Sequence, residues 1–181
     1  MNIGIQSVPL RRLHLRAARI IFRQIGKPGN QHMSDHFMIV IAADPLARPP
    51  AERADAALAL LTALRPEAEN PECRQSDTPE FFDCGQNFDG VFCPLCQADV
   101  QEWWGDAMGR WFESDDRTSL YVEMPCCGGA TTLNDLDYVA PQGLACVGFE
   151  LMNPGPDLEP EELRQVEDAL GTPVRIIWRH I

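Results

Sequence analysis

This chain of 181 residues predicts an α+β fold on the ferredoxin-like, split βαβ plan, with a cysteine-bearing module inserted between its halves. Three observations predict it. Strand, helix and strand signals follow one another in the first third of the chain and again in its last forty residues. Each of the two helix signals carries one apolar stripe. The only closely spaced cysteine pairs fall between the two halves.

The first strand signal is Phe37 to Ala42, a short apolar run rich in β-branched residues that stops at Asp44-Pro45. Pro49-Pro50 opens a helix over 51–64. Its residues Ala54, Ala57, Leu58, Leu61 and Leu64 form one stripe, and Pro66 stops it. Residues 67–80 are acidic and contain prolines, so they read as loop or sheet edge, and Glu80 to Cys84 as a short strand leading to the cysteines. Over 100–112, Val100, Trp104, Ala107, Met108 and Trp111 recur at helical spacing, against the helix-weakening Gly105 and Gly109. Ser119 to Met124 reads as a strand, continued outward by Thr131 and Thr132. Leu144 to Leu151 is a strand run closed by Asn153-Pro154-Gly155. A helix follows with Pro160 in its first turn, Glu161 and Glu162 near its positive end, a Leu163, Val166, Leu170 stripe and a closing Gly171. Val174 to Trp178 is the last strand.

The net charge of -12 is unevenly placed. Residues 1–32 hold Arg11, Arg12, Arg16, Arg19, Arg23 and Lys27 and no acid. Residues 33–181 therefore carry all 27 acids against nine arginines, a charge of -18. Such a body repels phosphate backbones and anionic membranes, which makes nucleic acid a poor partner and favours basic or neutral proteins. The first 32 residues read as a basic extension, disordered or not native, because Met33-Ser34-Asp35-His36 looks like a protein start; a functional basic arm is the alternative. Residues 33–181 read as a single α+β domain in which 84–140 are the insertion. No stretch approaches the roughly 20 apolar residues of a membrane span. The expected compartment is the cytoplasm, where thiols stay reduced and clustered cysteines favour metal over disulfide.

Cys93-Pro94-Leu95-Cys96 has the spacing of a metal knuckle, in which one tight turn supplies two corners of a tetrahedron. Cys126-Cys127 supplies the other two. A C-x-x-C followed later by adjacent cysteines is similar to the zinc ligand pattern of the small N-type subunit of RNA polymerases, although the rest of the chain does not resemble that subunit. The expected ligands of a Zn2+ ion are thus Cys93, Cys96, Cys126 and Cys127, with Cys84 as the rival fourth ligand. Gln97 stands where a glycine often follows the second cysteine. Cys146 reads as a core residue. Four sulfur ligands leave no open coordination position, which favours a structural, non-catalytic site.

Two rivals remain. Cys93-Pro94-Leu95-Cys96 before a helix is similar to the active-site motif of thiol-disulfide oxidoreductases, where the helix N-terminus activates a thiol. Nucleic-acid binding through the ribbon is the other, and it depends on the basic arm. No zinc-deaminase, metalloprotease, nucleophile-elbow or phosphate-loop motif occurs. Trp103 and Trp104 offer either a binding platform or core packing around the module.

Several segments resemble a family of uncharacterised bacterial proteins with a zinc-ribbon-like module. They are Phe88-Asp89-Gly90-Val91-Phe92-Cys93-Pro94, Trp103 to Met108, Pro125-Cys126-Cys127-Gly128 with Leu133-Asn134-Asp135-Leu136, Phe149-Glu150 with Asn153-Pro154-Gly155, and Val174 to Trp178. The resemblance covers Met33 to the C-terminus and implies no activity. Taken together, the sequence points to a zinc-stabilised protein that binds another macromolecule as a regulatory or immunity-type partner.

Overall fold

Alternation and proline punctuation set most of the element boundaries in the computed structural model, which describes residues 35–181. The basic stretch 1–32 and the expected start at Met33 lie outside the described residues. In chain order the elements are β1 (His36–Ala42), α1 (Ala51–Leu64), β2 (Glu69–Phe82), β3 (Val91–Phe92), α2 (Gln101–Glu113), β4 (Tyr121–Glu123), β5 (Ala130–Thr132), a one-turn 3-10 helix (Leu133–Asp135), β6 (Asp137–Tyr138), β7 (Gly143–Met152), α3 (Pro160–Leu170) and β8 (Val174–His180). The fold is α+β. Four strands form one sheet in the order β2-β7-β1-β8, and every neighbouring pair is antiparallel. Two small ribbons, β3-β6 and β4-β5, stand apart from it.

The sheet buries both faces, as the unbroken apolar runs of β1 and β7 require. On one face, Met38, Val40, Val147, Phe149 and Leu151 pack against Ala54, Ala57 and Leu61 of α1 and Val166 and Leu170 of α3. On the other, Ile39, Ile41 and Ile177 meet Phe82, Cys84 and Ala145. Arg65, buried just past the end of α1, locks the two helices together: it donates to the Leu64 carbonyl (2.6 Å), to the Pro156 carbonyl (3.0 Å) and to Glu162 Oε2 (2.7 Å). Glu162 in turn accepts from the Glu159 backbone N–H (2.9 Å), closing a capping box at the start of α3.

Residues 67–80, read as loop or edge, form most of the long edge strand β2. Its register slips between Glu69 and Glu72 and again between Gln75 and Glu80. Pro71 and Pro79 lie inside those two slips, where a missing N–H breaks no ladder bond.

The segment between β2 and β7 builds its own apolar cluster. Val91, Ala107, Met108, Trp111, Leu120 and Leu133 gather there with Cys93 and Met124, and Leu144 at the start of β7 joins them. Asn134 fastens this cluster to the sheet. Its side chain accepts from the Leu144 N–H (2.7 Å) and donates to the Leu144 carbonyl (3.1 Å), acting as one rung of a strand. Trp104 packs inward, stacking on Phe88 and donating to the Tyr138 hydroxyl (3.1 Å). Gly105 and Gly109 sit in α2 without breaking it, since both lie on its solvent face.

Candidate metal centre

Two turns with the same backbone build the site. In the first, the Cys93 N–H donates to the Ala98 carbonyl (2.9 Å) and the Gln97 N–H to the Cys93 carbonyl (2.9 Å). In the second, the Met124 N–H donates to the Gly129 carbonyl (2.8 Å) and the Gly128 N–H to the Met124 carbonyl (2.8 Å). Cys93-Pro94-Leu95-Cys96-Gln97 therefore superposes in role on Met124-Pro125-Cys126-Cys127-Gly128. The fifth position is left-handed in both, with φ +61° at Gln97 and +68° at Gly128. Gln97 thus adopts the conformation for which glycine is the usual choice, at a cost of about 1 kcal/mol.

The turns bring all four expected ligands together. Cys93 Sγ and Cys127 Sγ are 3.8 Å apart, Cys96 Sγ and Cys126 Sγ 3.4 Å, and all four sulfurs lie within 4.8 Å of one another. An ion holding four sulfurs at about 2.3 Å in a tetrahedron sets sulfur–sulfur edges of about 3.8 Å, so the donor set fits a metal ion. Cys93 is buried and the other three are exposed. The adjacent cysteines reach one point because they occupy the third and fourth positions of their turn. In the first turn the ligands are the first and fourth. Leu95, third in the first turn, lies across Gly129, where an added Cβ would meet its Cδ1 at 2.2 Å.

The thiols are unequal. Burial pushes the Cys93 thiol up, but the N–H groups of Leu95 and Cys96 and the neighbouring Cys126 and Cys96 thiols outweigh it and bring it down to about 7. Burial first, and then the surrounding sulfurs, push Cys126 up to about 12. Cys127 is also raised: the Gly129 N–H pulls it down, and burial with Cys93 and Cys96 overcomes that pull. The cluster stabilises one thiolate on its own, and further thiolates meet like charge. A bound divalent cation reverses that balance, because coordination deprotonates thiols outright.

Cys84 lies outside the cluster. It is buried beside Phe82 and Ile177, its thiol donates to Gln142 Oε1 (3.5 Å), and burial raises its pKa. Cys146 is buried in β7, and Cys73 is half-buried on β2. Met124 is the position that spacing did not reveal. The paired prolines Pro94 and Pro125, each one residue into its turn, are the signal in the sequence that aligns the two turns.

No family model matches the chain, and neither curated proteins nor solved structures match it. Among the described residues no helix is long and apolar enough to cross a membrane.

Proposed function

We propose that Cys93, Cys96, Cys126 and Cys127 hold one zinc ion in a structural site, and that the domain acts by binding another protein, as a regulatory or immunity-type partner. The closed sulfur set carries this reading. Four thiolates complete a tetrahedron, so a bound zinc keeps no position for water or substrate, and an all-sulfur tetrahedral site is the chemistry zinc selects. The order β2-β7-β1-β8 supports reading the sheet as ferredoxin-like, with the cysteine turns on a zinc-ribbon-like insertion over 84–140 of one domain spanning 33–181. The resemblance to a bacterial family with such a module agrees with this, and free clustered thiols suit the reducing cytoplasm.

Thiol-disulfide exchange at Cys93-Pro94-Leu95-Cys96 is the second reading, and the lowered Cys93 thiol favours it. Two features weigh against it. Cys93 is buried, and Cys126 and Cys127 bring two further sulfurs to the same point, which a metal needs and dithiol exchange does not. Nucleic-acid binding is disfavoured by the -18 charge of residues 33–181. Native mass spectrometry of the chain with and without chelator tests the leading reading. One zinc per chain is expected, together with a fall in melting temperature on its removal. A metal-free chain that reduces a model disulfide would overturn it and establish the redox reading.

A further inference from the structure

The four clustered sulfurs are unequally sheltered. Cys93 is buried, whereas Cys96, Cys126 and Cys127 are exposed, so three of the four ligands face solvent. Cys126 also lines an open groove of about 730 Å³ beside α2, which brings small solutes to its side of the cluster. One pair of sulfurs is exposed at both ends, in close approach and split between the two turns: Cys96 Sγ and Cys126 Sγ are 3.4 Å apart, with 30 positions between them in sequence. The adjacent Cys126 and Cys127 suit a disulfide poorly, because consecutive Cα atoms are about 3.8 Å apart and a disulfide ordinarily needs at least about 4.4 Å. Cys127 Sγ sits instead beside the buried Cys93 Sγ, 3.8 Å away. A bond from Cys96 to Cys126 joins the same two turns that a metal joins.

We infer that Cys96 and Cys126 are a redox switch on the metal site: hydrogen peroxide oxidises the pair to a disulfide, and the metal is released. The inference rests on the metal-site reading above and adds what controls occupancy of that site. Zinc has no redox chemistry of its own, so the electrons come from sulfur. The exposed thiolate of Cys96 or Cys126 attacks one oxygen of the peroxide, the O–O bond breaks, hydroxide leaves and the sulfur becomes a sulfenic acid. The other thiolate attacks that sulfur, the S–S bond forms and the sulfenic oxygen departs as a second hydroxide. Each sulfur has then given up one electron, the peroxide has taken both, and two protons from solvent turn the hydroxides into water. Cys93 and Cys127 remain as donors, and two thiolates do not complete the tetrahedron that zinc requires. Because the disulfide spans both turns, the module stays closed without the ion, and a dithiol reductant returns the donors for reloading. Cys84 and Cys146, buried outside the cluster, take no part.

Equimolar hydrogen peroxide added to the zinc-loaded full chain, its metal content first measured by native mass spectrometry, tests this. Zinc should pass to a chromogenic chelator as the chain becomes two hydrogens lighter. Tandem mass spectrometry after proteolysis should place the new link between Cys96 and Cys126, and dithiothreitol with zinc should restore both mass and metal content. Two double variants place the pair without relying on the metal. Cys93→Ser with Cys127→Ser should still form the link under peroxide, whereas Cys96→Ser with Cys126→Ser should oxidise about tenfold more slowly, since thiol oxidation follows exposure. A link between Cys93 and Cys96 would overturn the switch and favour the dithiol motif. Metal loss through sulfinic or sulfonic acids with no disulfide would overturn it too, because that is irreversible damage. A chain without zinc at the outset overturns the metal-site reading and the switch with it, whereas zinc bound and then retained under peroxide overturns the switch alone.

Discussion

Met124 occupies in the second turn the position that Cys93 holds in the first. Each donates its N–H to the carbonyl five residues on and accepts from the N–H four residues on. Both side chains are almost wholly buried in the same apolar cluster. The site is thus a pair of equivalent knuckles in which one ligand has moved from the first to the third position of its turn. Buried Met124 fills the vacated place.

That equivalence predicts a rescue. Cys126→Ser alone should abolish stoichiometric metal binding and lower the melting temperature, because metal binding and folding are linked. Adding Met124→Cys rebuilds a Cys-Pro-x-Cys turn matching Cys93 to Cys96, and metal content should return toward one ion per chain. Mass spectrometry of the two variants side by side decides it. If the double variant stays metal-free, the turns are not interchangeable.

Removing the metal should loosen the chain unevenly. Cys93 and Met124 belong to the cluster around α2, whereas the sheet and α1 with α3 have cores of their own. After chelation, hydrogen exchange should accelerate first at Gln97, Gly128 and Leu133, with Val40 and Phe149 staying protected. Simultaneous loss of protection at all five sites would mean that the metal holds the whole domain rather than one cluster.

How much of this was legible follows from what each segment's neighbours are. α1 coincides with the expected 51–64 because Pro50 and Pro66 bracket a stripe whose Ala54, Ala57 and Leu61 are buried. α3 was equally plain, since Pro160 opens it and Gly171, at φ +85°, closes it. β2 was ambiguous because its prolines and acids deny a central strand, and only its place at the sheet edge reconciles them with pairing. The two-residue strands β3 and β6 are too short to show any period. Asn134 stands in for a strand residue, a part that no local pattern announces. The four sulfurs were readable from spacing. The equivalence of the two turns showed in the sequence only through Pro94 and Pro125, because their other shared positions are backbone conformations, occupied by Gln97 in one and Gly128 in the other.

Among the described residues Glu150 is the one buried acid. It follows Phe149 on β7 and so points away from the helices, to the face where Arg74 of β2 and Arg179 of β8 both pair with it. Arg179 also reaches Asp83 (3.6 Å) and lies over the Phe37 ring, while Arg74 lies over Phe82. Removing the acid takes away the charge the two cations share and leaves Arg74 with Glu80 (3.6 Å) and Arg179 with Asp83. Glu150→Gln should therefore cost about 3 kcal/mol in urea unfolding. Arg74→Met should cost less, because that side chain is 40% exposed. An equal loss from both would show that solvent screens neither partner.

Acid should undo the junction between α1 and α3 in a defined direction. The hydrogen bond from Arg65, with the Glu159 N–H second, holds the Glu162 carboxyl below its ordinary value. An unfolded glutamate titrates near about 4.3, so between that value and the lower folded one the unfolded chain binds the extra proton, and stability rises with pH. The contribution is fully present above the unfolded value and is lost as pH falls through the folded one. Glu162→Gln never has it. Melting temperatures of the two proteins should differ at neutral pH and converge well below pH 4. A gap that persisted into strong acid would overturn this account, because protonation has by then removed the charge facing Arg65 from Glu162 and glutamine keeps the capping box.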